Sequence, residues 1–421
     1  MSRSERPSPL QLAVRPAGAS SRQSLLRETN LGLVVQAIFG SPVALSRSDV
    51  ASATRLTKST VSRLVDELLT AGVVDELERV ASPRGRPATP LVPGHGIGAL
   101  GLQVNAGGLA ARVLDLRGRV VAEAVADEDL VGSDPATVLD HLSDLANRVI
   151  EQVAGRLRLV GAGLALPGIV SVGTGELLLA PNLGWSAIRP ADILAPDRLS
   201  SLSLRIGNEA DLAARTIATP APGRPGPLRD FIYVSGEIGI GGATVLDGKV
   251  QSGRHGWAGE VGHVCVDPAG PGCRCGSTGC LEQYAGRRAL LRAAGLDVHT
   301  SLAELVGRAD RGDSRAQGAI ARGAWALSIA LASAVNLLDI PAIVLGGDLA
   351  AVAPHLQPEL SRRLQPRIPT ARWAAPVIEL ASHDATAGAT GAALAQLQHV
   401  VDHPAQWAGS TQPSSGAALS T

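Results

Sequence analysis

The passage Gly259-Glu-Val-Gly-His263, followed by Cys273-Arg-Cys275-Gly-Ser-Thr-Gly-Cys280-Leu-Glu282, is the densest run of chemistry in the chain. One imidazole and three thiolates supply four soft-to-borderline donors, the set that a closed tetrahedral zinc site needs, and Gly272, Gly276 and Gly279 let a short loop wrap around an ion. Four protein donors leave no open position for a catalytic water. His263, Cys273, Cys275 and Cys280 therefore read as ligands of a structural Zn2+. All four cysteines of the chain fall within sixteen residues, and Cys265, the one left over, reads as a strand residue. The chain opens on Met-Ser-Arg-Ser-Glu-Arg-Pro, without the apolar stretch of a secretory signal. Clustered cysteines in such a context point to metal rather than disulfides, and to a cytoplasmic location.

Around this passage runs a Gly-rich stretch from about 95 to 400 in which apolar strands alternate with helical patterns. Ala99 to Leu116 reads as a hairpin, Val138 to Val153 as a helix and Leu159 to Leu166 as a strand. Further strands fit Leu202 to Ile206, Phe231 to Ser235 and Ile343 to Leu345, with helices at Ser314 to Leu338 and Thr386 to Leu397. Such alternation predicts an α/β fold, a sheet flanked by helices. With 421 residues and 43.0 kDa the chain is too long for one core, and 45% hydrophobic against 18% charged residues excludes a wholly disordered one. Its nine aromatic residues leave the core to Val, Leu, Ile and Ala, and argue against stacking platforms for single-stranded nucleic acid. The longest apolar stretch, Ala324 to Leu338, is shorter than the ~20 residues of a membrane span and reads as a buried helix.

The net charge is zero, but unevenly spread: residues 1–90 carry 12 basic against 8 acidic side chains, the remainder 26 against 30. Within the basic part, Ser46-Arg-Ser-Asp49 is a helix-start signal and Thr57 caps a second helix after a break at Arg55-Leu56. That helix sets Val61, Leu64, Val65, Leu68 and Leu69 on one face and Lys58, Ser59, Ser62 and Arg63 on the other. Short hydroxyls and cations near a helix's amino end suit phosphates and base edges in a major groove. The DNA-contacting set is Arg47, Lys58, Ser59, Thr60, Ser62 and Arg63. Val73 to Glu76 and Ala88 to Val92 form a candidate two-stranded wing, with Arg84 and Arg86 at its tip suited to a minor groove. A small helical bundle used for protein contacts is the competing reading.

This segment, with Gly-Val-Val at 72 to 74 and Gly-Arg-Pro at 85 to 87, resembles the winged helix-turn-helix of ROK-family repressors, apart from Arg55 where the family usually has glycine. The metal passage, Ile238-Gly-Ile-Gly-Gly242 and the Gly253 to His263 stretch extend the resemblance over about residues 24 to 400. The likeness is to transcriptional regulators of the xylose-repressor type. It implies an actin-like (ribonuclease H-like) two-lobe fold, in which zinc holds a loop carrying sugar contacts. It also implies that Glu260, His263 and Glu282 bind sugar hydroxyls, with one ring nitrogen of His263 on zinc and the other offered to the sugar. The implied layout is a tail at 1–23, a DNA-binding domain at 24–92, a sugar-binding domain at 93–402 and a tail at 403–421.

ROK kinases place Asn-Asp at a strand end; here Asn208 and Glu209 stand there, and both are expected at the ligand. The kinase phosphate turn Asp-x-Gly-Gly-Thr is reduced to Asn105-Ala-Gly-Gly108, and the second phosphate loop carries Glu237, a carboxylate set against ATP. The resemblance therefore implies a non-enzymatic, sugar-responsive repressor of carbohydrate genes. Its implied partners are double-stranded operator DNA, a sugar effector and a second copy of the chain (a homodimer or dimer of dimers), with no membrane. The alternatives are an ATP-dependent sugar kinase that also regulates, and a DNA-binding dimer whose degenerate cleft senses a protein.

Overall fold

The computed structural model describes residues 19–78, 89–171, 173–194, 199–236, 238–382 and 384–408. The amino-terminal part contains helix α1 (Ala19–Gly40), strand β1 (Leu45–Ser46), α2 (Arg47–Thr54), α3 (Lys58–Thr70), β2 (Val74–Glu76) and β3 (Pro90–Pro93). Its helix starts are set by local chemistry. Ser46 and Asp49 form a reciprocal capping box on α2, and the Thr57 side chain accepts from the Thr60 amide to start α3. Strand β3 pairs antiparallel with both β1 and β2, so the expected wing is three-stranded.

The first lobe runs β4 (Ile97–Asn105), β5 (Gly108–Asp115), β6 (Val120–Asp127), α4 (Pro135–Val153), β7 (Arg158–Leu166), β8 (Ile169–Ser171), β9 (Glu176–Ala180), β10 (Trp185–Ile188), α5 (Pro190–Ile193), β11 (Leu204–Asn208) and α6 (Glu209–Ala218). The second runs β12 (Phe231–Gly236), β13 (Ile240–Leu246), β14 (Lys249–Val250), α7 (Glu282–Ala285), α8 (Arg287–Ala293), α9 (Leu302–Asp310), α10 (Ser314–Leu338), β15 (Ala342–Gly346), α11 (Gly347–Ala351), α12 (Ala353–Leu364) and β16 (Val377–Leu380). The chain then returns to the first lobe through α13 (Ala387–Asp402) and α14 (Pro404–Trp407).

The two lobes share one topology. An antiparallel meander (β4–β5–β6; β12–β13–β14) is extended from its first strand by two parallel strands, β7 and β11 in one lobe, β15 and β16 in the other. Helix α10 is the one described helix long and apolar enough to cross a membrane, and 61% of its most apolar window is buried inside the protein. It packs on α12, α7 and α8 as the core helix of the second lobe.

Two expected boundaries move. Helix α1 starts at Ala19, inside the stretch assigned to an amino-terminal tail, and α14 occupies the start of the carboxy-terminal one. The amino-terminal part is also not a separate globule. Leu31, Val34, Val35 and Phe39 of α1 share one apolar cluster with Leu116 beyond β5 and with Leu397, Val400 and Val401 of α13.

Candidate effector cleft, metal centre and nucleic-acid interface

A cleft of about 680 Å³ opens between the two sheets. Asn208, the last residue of β11, lines it, but its polar atoms serve the fold: Oδ1 accepts from the amides of Ala210 and Asp211 at 2.8 and 3.2 Å, and Nδ2 donates to the Gly168 carbonyl at 2.9 Å. This cap starts α6 and sets Glu209 at the cleft floor, partly buried. Gln103 and Asn105 donate side-chain amides to Glu209 Oε1 at 3.0 and 3.1 Å. Removal from water pushes the Glu209 carboxyl up to about 7, against the Asn105 hydrogen bond that favours its ionised form.

Glu260, His263 and Glu282 line the same cleft. Burial raises the Glu260 carboxyl; the His263 ring opposes that and Glu282 adds to it. Gly239 makes room here, since a Cβ at that position would lie 2.7 Å from Glu282 Oε2 and 2.8 Å from Asn182 Nδ2. Two polar groups, one beside the cleft and one lining it, were not singled out in the sequence. Asp211, the third residue of α6 and next to the cleft-lining Ala210, takes a hydrogen bond from Ser252 Oγ at 2.9 Å and is pushed up to about 6 by burial. Buried Gln103 is the other; in sequence it is one polar residue inside an apolar strand.

His263, Cys273, Cys275 and Cys280 converge: one ligand atom from each lies within 4.8 Å of all the others. Cys275 Sγ is 3.7 Å from Cys280 Sγ, and Cys273 Sγ is 3.8 Å from His263 Nδ1. A tetrahedral ion with metal–sulfur bonds of about 2.3 Å sets neighbouring donors roughly 3.6–3.8 Å apart, the spacing of these two pairs. Nδ1 of His263 faces Cys273, and its Nε2 lies 3.8 Å from Glu260 Oε2. Cys265 forms an isolated β-bridge with Cys280 and stands outside the cluster.

On the opposite side of the cleft, the β4–β5 turn is closed by Asn105 Oδ1 accepting from the Gly107 amide at 2.9 Å. Asp348, at the start of α11, is held by both forks of Arg287 at 2.7 Å each. Glu237, assigned above to repel ATP, lies outside the described residues.

In the amino-terminal part, Arg55 ends α2 with φ 58° and ψ 24°, the left-handed geometry that glycine takes most easily. Lys58 and Ser59 are exposed at the start of α3 and Thr60 and Ser62 half-buried, while Arg63 pairs with Glu67 at 2.9 Å. Arg47 has protein partners. Its guanidinium is 2.7 Å from Asp66 and 2.9 Å from Glu76 and donates to the Ser62 carbonyl, tying α2 to α3 and the wing. Arg84 and Arg86 lie outside the described residues.

The ROK family profile matches residues 101–399. The chain belongs to the ROK family. A xylose repressor of Caldicellulosiruptor bescii is 32% identical over 270 residues, 64% of this chain and 66% of that protein's length. A ROK family transcriptional regulator described as a homologue of the E. coli MLC protein has the same fold (TM-score 0.74, 23% identity, 91% of this chain and 99% of that one). A ROK hexokinase of Thermus thermophilus is 30% identical with a TM-score of 0.57, over 71% of this chain and 97% of that one. The fold is thus the actin-like two-lobe architecture of ROK proteins, carried behind amino-terminal helices of helix-turn-helix type.

Proposed function

We propose that the chain is a sugar-responsive DNA-binding transcriptional regulator, acting as a repressor of carbohydrate genes in the cytoplasm. The observation that carries this reading is the union in one chain of α3, with Lys58 and Ser59 exposed for a groove, and a carboxylate-lined cleft built on α6 and α13. Glu209, Glu260 and Glu282 are acceptors suited to the hydroxyls of a neutral sugar, and His263 adds a ring nitrogen. The sequence relative named a xylose repressor supports the same role and makes D-xylose the first sugar to try. Zinc is the ion the His and three thiolates suit; it pins the loop from His263 to Cys280 and with it Glu260 and Glu282. A helix-turn-helix reads one half-site, so the working form is a homodimer or a dimer of dimers.

The test is a thermal-shift panel of D-xylose, D-glucose and N-acetylglucosamine with retention of promoter DNA measured for each hit. At least one sugar should raise Tm and weaken DNA binding; no response to any sugar overturns the reading. One observation favours a second reading: a carboxyl poised near neutrality in a cleft, Glu209, is what a general base on a sugar hydroxyl needs. Phosphorylation of a panel sugar by ATP, lost in Glu209→Gln, would establish a kinase.

A further inference from the structure

Helices α6 and α13 both start in the cleft; α13, and the turn that follows α6, reach α1 of the amino-terminal part. At the cleft end buried Gln103 joins them: Nε2 donates to Glu209 Oε1 at 3.0 Å and to the Ala385 carbonyl at 2.9 Å, and Oε1 accepts from the Ala389 amide at 2.9 Å. Midway the helices touch backbone to backbone, because a Cβ on Gly391 would lie 1.8 Å from the Leu212 carbonyl oxygen. Beyond α6, the Gly223 amide donates to Gln398 Oε1 of α13 at 2.9 Å, and a Cβ on Gly223 (φ +70°) would meet Phe39 Cβ of α1 at 2.7 Å. Helix α1 continues the path, since Arg27 donates to Glu67 of α3 at 2.6 Å.

Resting on the regulator reading, we propose that Gln103 is a positioning residue that clamps the effector-facing Glu209 to α13, so that the α6–α13 pair moves as one rod and carries sugar occupancy to α1 and the DNA-reading helix. A sugar hydroxyl bound at Glu209 acts on a side chain already fastened to both helices. With no slack at Gly391, a shift at the cleft reaches Gly223 and Phe39 about 15 Å away, the length of ten helical residues. Coupling requires that the sugar prefer one position of the rod, and it is reciprocal: operator DNA must alter sugar affinity by the factor by which sugar alters operator affinity.

The test uses the full chain and the far end of the rod, away from the sugar. Gly223→Ala pushes the turn off Phe39, and Gln398→Ala, which makes no clash, unfastens the turn from α13; Trp373→Ala, exposed on the other lobe, is the control. Operator affinity is measured with and without the panel sugar that acts on the wild type, and sugar affinity with and without operator. In Gly223→Ala and Gln398→Ala each partner alone should bind within about threefold of wild type, while the effect of one on the other falls to within about twofold of none. Trp373→Ala keeps the full effect. Should Gly223→Ala fail to fold, Gln398→Ala decides. A wild type that responds to sugar alongside variants that respond equally overturns the rod alone; a wild type with no sugar response overturns the regulator reading itself.

Discussion

At Glu209, burial and hydrogen bonding oppose each other. Its carboxyl rises from an ordinary 4.5 to about 7, with desolvation as the larger cause. A carboxyl whose folded value lies above its unfolded value stabilises the fold fully below the unfolded value, and that contribution is lost as pH rises through the folded one. Between about pH 4.5 and 7 the wild type should therefore lose stability that Glu209→Gln keeps, on the order of 2 kcal/mol after allowance for the side chain's partial exposure. Denaturant titrations at pH 5 and pH 8 check this; parallel pH profiles for wild type and variant sink it. At the metal cluster, Cys275→Ser leaves three donors of four. Bound zinc per chain should fall well below one, and Tm should drop by roughly 4–10 °C. Unchanged metal content after Cys275→Ser would remove Cys275 from the ligand set. The convergence of His263 with three cysteines was legible in sequence because thiolate and imidazole spacing is local chemistry. Gln103 was not, because its partners lie 106 and 282 residues away and nothing near it in sequence sets it apart.

At the scale of elements, the caps repeat the lesson. Ser46 and Thr57 start α2 and α3 as read, since a cap is satisfied within three residues of itself. The exposed hydroxyl and lysine face of α3 follows from the same periodicity. The ion pairs of Arg47 were not legible in sequence because its partners Asp66 and Glu76 come from α3 and the wing, which periodicity does not bring together. Arg55 holds φ 58° without the glycine that geometry favours, at a cost of about 1 kcal/mol. Arg55→Gly should relieve that strain and stabilise the helix-turn-helix by about 0.5–1 kcal/mol, raising the denaturant midpoint with an unchanged slope. A variant less stable than wild type would mean that the arginine side chain makes contacts worth more than the strain.

At the scale of the molecule, the matching topology of the lobes was invisible in sequence, because two meanders extended by parallel strands need share no residues. The sequence places a domain boundary at 92–93, yet apolar packing crosses it: α1 is buried against Leu397, Val400 and Val401 of α13, as well as against α2 and α3. A tethered domain would open by itself; a shared core opens as one cooperative unit. Native-state hydrogen exchange separates the two arrangements. Amides of Leu31 to Phe39 in α1 should exchange with the same opening free energy as those of Leu394 to Val401 in α13, within about 1 kcal/mol. Stripping the metal should leave both unchanged while loosening α7, whose Glu282 to Ala285 follow directly on Cys280. If α1 exchanges several kcal/mol more easily than α13, the DNA-reading part is tethered, and α6 and α13 have no rigid body to push against. If the two open together, any movement of α13 in the cleft must be felt by α1, because both bury side chains in one close-packed apolar cluster.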